Sequence, residues 1–175
     1  RSLASSASGL QTAMIVFGGT PSGTATESWN NTTWANVTPL TTSRLVLGGA
    51  GTQAAALAFG GEAPPHSNAT EEWDGSSWTN GGNLGTARYG GGSAGIQTAA
   101  LYMSGGNTPA VTNVEKYDGT SWSSDTVVPA GASKTNGAGT SSAGLMIGGG
   151  TPWPATTNAL EFTSDAQVTV TIDTV

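Results

Sequence analysis

A chain of 175 residues, 36% of them apolar, can bury the core of one domain, yet only 9% are charged against roughly 25% in ordinary soluble proteins. The formal net charge of −6, with five Lys and Arg in all, leaves no basic stripe to track phosphates and argues against nucleic-acid binding. Cysteine is absent, which removes disulfides, thiolate nucleophiles and Cys-ligated metal centres. Apolar runs such as "AAALAF" are too short to span a bilayer, so no membrane insertion is expected. The chain opens at Arg1 without a Met, as a piece of a longer polypeptide does.

The chain reads as four units. In the first, residues 1–40, an apolar run "MIVF" ends in Gly18 and Gly19, and "TESWNNTTW" follows with Trp29 and Trp34. The second, residues 41–84, repeats this with Arg44, "ALAFGG" at Gly60 and Gly61, and "TEEWDGSSW" with Trp73 and Trp78. The third, residues 85–128, carries Arg88, "LYMSGG" at Gly105 and Gly106, and "VEKYDGTSW" with Tyr117 and Trp122. The fourth, residues 129–175, keeps Gly148 and Gly149 but lacks the Asp-Gly pair and the Trp, and its Arg is replaced near Ser133 or Lys134. Trp29, Trp73 and Tyr117 step by 44, as do Trp34, Trp78 and Trp122, and Phe162 lies 45 after Tyr117. Gln11, Gln53 and Gln97 precede the double glycines, with Ser141 in the fourth copy.

A pattern used four times serves a repeated structural task, so the recurring residues are scaffold. Within a unit, a segment such as "YGGGSAGIQ" suits an inner strand whose small side chains let neighbouring units crowd together. "TAALYMS" suits a strand covered on both faces, and the double glycine permits a sharp turn. "TNVEKY" predicts a third strand, and Asp-Gly a type I′ hairpin into a fourth. Asn30-Asn31 keeps the same turn, because Asn tolerates positive φ best after Gly. The Trp after the turn caps the apolar layer between units. Glu27, Glu71 and Glu115 recur in register, which points to a repeated contact with the Arg set.

Four short strands per unit without helical periodicity predict an all-β fold, a propeller of four four-stranded blades in one domain spanning 1–175. The double glycine, the aromatic beyond it, Trp five residues on and Arg ten after that Trp resemble the kelch repeat over essentially the whole chain. All four units run from inner to outer strand, so no spare strand closes the ring by a swap. The four blades close alone, continue into a larger ring, or share a ring with a second chain; the compact four-bladed form is expected.

Catalytic groups are scarce. The resemblance extends to a copper oxidase family built on a Cys–Tyr crosslink and His ligands, which this chain cannot assemble with no Cys and one His. That His66 sits in "GEAPPHSN", where a histidine is ordinarily a solvated loop residue. No cluster of oxygen ligands suits calcium, and the glycine-rich segments lack the Lys of a phosphate loop. No cofactor or metal is expected. Asn30, Asn31, Asn36 and Asn68 begin Asn-x-Thr sequons, which arise readily in a Thr- and Asn-rich chain.

Recognition is expected on the loops after each double glycine, which vary most and cluster on one face. Candidates there are Pro65, His66, Asn107 and above all Trp153, held between two prolines and outside the repeat pattern. The Gly/Ala/Thr-rich motif resembles kelch-like arrays of tailed-bacteriophage virion proteins. This resemblance implies a non-enzymatic tail-fibre or surface domain, multimeric in the assembled particle, that contacts other virion proteins or host-surface glycan or protein. A secreted bacterial lectin-like propeller is the alternative, and a propeller hydrolase the weakest.

Overall fold

The computed structural model describes residues 6–150, 158–163 and 166–171. It is all-β, with no helix among those residues. Four antiparallel sheets follow one another along the chain, each a meander of four consecutive strands. The first blade comprises β1 (Ser6–Leu10), β2 (Ala13–Phe17), β3 (Thr26–Trp29) and β4 (Trp34–Val37). The second comprises β5 (Gly48–Gly51), β6 (Ala56–Phe59), β7 (Thr70–Trp73) and β8 (Trp78–Asn80). The third comprises β9 (Gly92–Ile96), β10 (Ala99–Met103), β11 (Asn113–Tyr117) and β12 (Trp122–Val127). The fourth comprises β13 (Asn136–Gly139), β14 (Ala143–Ile147), β15 (Asn158–Thr163) and β16 (Ala166–Thr171). The fold is a four-bladed β-propeller.

The innermost strands β1, β5, β9 and β13 border a central channel of about 230 Å³ lined by Gly, Ala and Ser. Small residues there are a steric requirement: a Cβ on Gly137 would lie 2.5 Å from the Ser93 backbone of the neighbouring blade. Strand β1 packs on β5, β5 on β9 and β9 on β13. Among the described residues no comparable packing joins β13 back to β1.

Three apolar layers lie between successive blades, built from the same strand positions each time. Ile15 and Phe17 of blade 1 meet Ala56, Ala58, Trp73 and Trp78 of blade 2. Leu57 and Phe59 then meet Ala100, Tyr102, Tyr117 and Trp122, and Leu101 and Met103 meet Met146, Leu160 and Phe162. Each outer-strand Trp reaches back over the preceding blade. Trp78 stands edge-on to Phe17 at 4.9 Å and donates its indole N–H to Thr26 Oγ1. Trp122 does the same to Phe59 at 4.8 Å and to Thr70 Oγ1. Such pairs add about 0.5–1.5 kcal/mol beyond the area they bury. The amides of Gln53 and Gln97 complete the seam by donating to the carbonyls of Trp29 and Trp73 at 2.6 and 2.7 Å.

Trp34 of blade 1 has no such cover among the described residues and is 49% exposed, against 5% for Trp78. The fourth blade is a full blade, and Phe162, opposite Gly144, takes the place of Trp29, Trp73 and Tyr117. Gln167 stands at the register position of the missing Trp.

Three details differ from the sequence expectations. The third turn pair is Ser104–Gly105, not Gly105–Gly106: the amides of Gly18, Gly60 and Ser104 bond across the loop base to Ala25, Ala69 and Asn113. Ser104 adopts φ +59° there, a left-handed conformation in which the sequence pattern favours glycine. Gly106 instead bridges to Tyr89.

The Asp-Gly turns are four-residue loops, not two-residue type I′ turns. Trp73 pairs with Trp78 across Asp74–Ser77, and Asp74 Oδ1 accepts the amides of Ser76 and Ser77 at 2.8 Å. Asp118 and Asn30 bind their turns in the same way. Gly75, Gly119 and Asn31 hold the positive φ at the second position. The amide donors hold the Asp74 carboxyl at about 2, well below the usual value.

The residue at the Arg position in blade 4 is Ala132, not Ser133 or Lys134. The amides of Gly19, Gly61 and Gly105 bond to the carbonyls of Arg44, Arg88 and Ala132 respectively.

Trp78→Ala is expected to lower stability by about 3–5 kcal/mol and Trp34→Ala by under about 1 kcal/mol in dilute solution, read by urea denaturation. Equal losses would contradict an intact blade 1–2 seam beside an open first face.

Candidate functional site

The loops joining the second and third strands of the first three blades, together with the connectors between blades, form one face of the propeller. Two buried ion pairs shape it. Arg44 Nη2 meets Glu71 Oε1 at 2.7 Å with both side chains fully buried. Arg44 Nη1 also donates to the carbonyls of Gly60 and Ala69, the two ends of the 60–69 loop. Glu71 Oε2 accepts the amide and hydroxyl of Thr41. Burial lowers the Arg44 pKa, and Glu71 opposes that shift by coulombic attraction and hydrogen bonding.

Arg88 repeats the clamp in the next blade. It pairs with Glu115, donates to the carbonyls of Ser104 and Tyr102, and lies 4.5 Å over the Tyr102 ring. Glu115 also accepts the Gly85 amide at 2.7 Å. In blade 4 both partners change together: Ala132 stands for the Arg and Leu160, opposite Met146, for the Glu. Exchange of a buried pair for apolar residues avoids leaving one charge without its partner.

On this clamped base the 60–69 loop is tied down further. Ser67 N bonds to Gly61 O, Arg88 N to Ser67 O, and Asn68 exchanges bonds with Leu84. His66 is therefore no solvated loop residue: its ring packs 4.7 Å from Tyr89 of the next blade, and its Nδ1 is buried without a hydrogen-bond partner. Tyr89 in turn lies flat against Gly106, where a Cβ would come within 2.4 Å of the ring. Asn107 donates to the Ala87 carbonyl at 3.1 Å, and Pro65 is exposed beside His66. His66 and Asn107 thus converge on the segment Ala87–Tyr89, and Pro65 neighbours it only through its place beside His66 in the chain. Trp153, the other candidate, lies outside the described residues.

Tyr89 was not singled out by sequence, because one aromatic after Arg88 breaks no repeat that could flag it; the matching positions hold Leu45 and Ser133. The second missed feature adjoins it. Val46, Gly90 and Lys134 occupy equivalent positions, all with positive φ of 50 to 60°. They link blade to blade through Gly90 N to Val46 O and Thr135 N to Gly90 O. Glycine adopts this conformation freely, whereas a β-branched valine is strained in it. Strain of this kind gathers where a site is held in one geometry.

Among the described residues no group of three His, Asp or Glu is placed to hold a metal ion. No helix of the described residues is long and apolar enough to cross a membrane. Compared with models of known protein families and with curated proteins, the chain finds no match.

Arg44→Met is expected to cost about 3–5 kcal/mol by stranding Glu71, and adding Glu71→Leu to recover at least about half of that, as blade 4 does. Denaturation of the three proteins side by side measures the difference; a double variant as weak as the single one contradicts the exchange. Val46→Gly, by contrast, should raise stability by about 1 kcal/mol through relief of the left-handed valine. A destabilised Val46→Gly would show that the isopropyl packing outweighs the strain.

Proposed function

We propose that this chain is a non-enzymatic recognition domain of a virion surface or tail fibre, which contacts host-surface glycan or protein through its loop face. The observation that carries the reading is the tilted ring pair His66–Tyr89, drawn from two neighbouring blades, with the strained Val46 bonded to Gly90 beside Tyr89. An aromatic held against a glycine, with polar neighbours such as Asn107, offers a flat apolar surface and directional donors, the combination that binds the face of a sugar ring or a partner side chain. Because the Arg44 and Arg88 clamps order these loops before a ligand arrives, little conformational entropy remains to be lost on binding. The motif resemblance to tailed-phage virion proteins supports the location, and repetition of a weak site in a multimeric particle supplies avidity.

The test is binding of the purified chain to intact bacterial cells and to a glycan array, with Tyr89→Ala, His66→Ala and Trp153→Ala beside the native protein. Saturable binding that weakens about tenfold or more in Tyr89→Ala supports the reading. No binding by a chain with native circular dichroism overturns it, and binding lost only in Trp153→Ala assigns recognition to Trp153 in place of the His66–Tyr89 pair.

A further inference from the structure

Three seams within the chain are made from the same two half-faces, and the same two half-faces lie open at its ends. In the first two seams the leading half holds four residues. In blade 2 these are Ala56, Ala58, Trp73 and Trp78, all buried. In blade 1 the same strand positions are Met14, Val16, Trp29 and Trp34; the first three are only half-buried and Trp34 is 49% exposed. Gln11, at the position from which Gln53 and Gln97 reach into the preceding blade, is exposed.

The trailing half is open in blade 4. Phe17, Phe59 and Met103 are each fully buried beneath the following blade, yet Ile147 at that position is 39% exposed. Leu145 matches Ile15, Leu57 and Leu101, all fully buried, but is itself half-buried. A groove of about 410 Å³, bordered by Ala138, Leu145 and Glu161, runs along this side of the blade.

We infer that these two faces are the halves of one interface between two copies of this chain, in which blade 1 of each copy packs on blade 4 of the other. The occupant follows from continuity with the seams already formed: Trp34 and Met14 are the half that covers Phe17 or Phe59 elsewhere, and Ile147 and Leu145 are the half that is covered. A single copy carries one of each, so two copies satisfy both faces reciprocally. Head-to-tail faces close into a ring when the rotation permits, and four blades from each of two chains complete a ring of eight. At the new seam Trp34 lies over Ile147 of the second copy, and the Gln11 amide reaches that copy's Phe162 carbonyl, the counterpart of the Trp29 and Trp73 carbonyls.

The experiment is sedimentation of the whole chain across a concentration series, together with Trp34→Lys, Ile147→Glu and their equimolar mixture. The native chain should sediment at twice its 17.3 kDa mass at high concentration. Each variant alone should dimerise about thirtyfold more weakly, because it buries a charge against an apolar face. The mixture should recover, since one seam is then native and the other pairs Lys with Glu. Hydroxyl-radical footprinting of the native chain provides a second readout that needs no variant: Met14 and Trp34 should lose reactivity as the dimer forms. A folded chain that stays monomeric overturns the inference, as does growth into species larger than a dimer, or a mixture no better than either variant.

Discussion

The loop face depends on the buried Arg–Glu pairs more than on any other interaction. A buried arginine needs partners for its charge: the two Nη atoms of Arg44 meet a carboxylate and two carbonyls, while its Nε is buried without a partner. Those carbonyls, from Gly60 and Ala69, mark where the 60–69 loop leaves and rejoins the sheet. One side chain therefore fixes the loop's span, while the carbonyl of the same residue receives Gly19 N from the preceding blade. Arg88 likewise receives Gly61 N on its carbonyl, and its side chain holds the Ser104 end of the next loop. In blades 2 and 3 the link to the preceding blade and the start of the loop are thus set by one residue, and His66 can meet Tyr89 because both of their supports are held in this way.

The second constraint is that no blade buries its own core. Each sheet is apolar on both faces, and Phe17 or Phe59 becomes buried only when the Trp of the next blade covers it. Stability in such an array is a sum of seams between neighbours, and the end units are where the sum is incomplete. Among the described residues the sum is incomplete twice, at Trp34 and at Ile147, both of them exposed apolar side chains.

How much of this was legible in the sequence follows from what each feature depends on. The blade count and strand order were legible because Trp, Gly and Arg recur at a fixed interval, and a repeat of rare residues is hard to produce by chance. The third glycine pair was misplaced by one residue because Ser104 adopts a left-handed conformation that its side chain stabilises through bonds to the Val111 and Ala132 carbonyls. The turn type was misjudged for a related reason: the Asp-Gly signal concerns backbone preference, whereas Asp74 acts by accepting two amides. The candidate site was legible only as a set of loops. That His66 meets Tyr89 requires knowing which loop of one blade faces which connector of the next, and no periodicity within a single repeat carries that information.

Blade 4 shows which parts of the repeat travel together. It has lost the Arg, the Glu, the outer Trp and the Asp-Gly turn, yet it keeps the double glycine, the inner-strand glycines and the aromatic at Phe162. Phe162 packs on Leu101 and Met103 of blade 3, and Gly137 and Gly139 line the channel, where apolar cover and close backbone approach are still required. The lost Arg and Glu form a single contact, and removal of either one alone would strand a buried charge; Ala132 and Leu160 replace both. The outer Trp, which in blades 2 and 3 covers the preceding blade, is lost as well, and blade 3 takes its cover from Met146, Leu160 and Phe162. The scaffold function of the repeat and the clamp function of the Arg–Glu pair are separable, and the loop face belongs to the clamp.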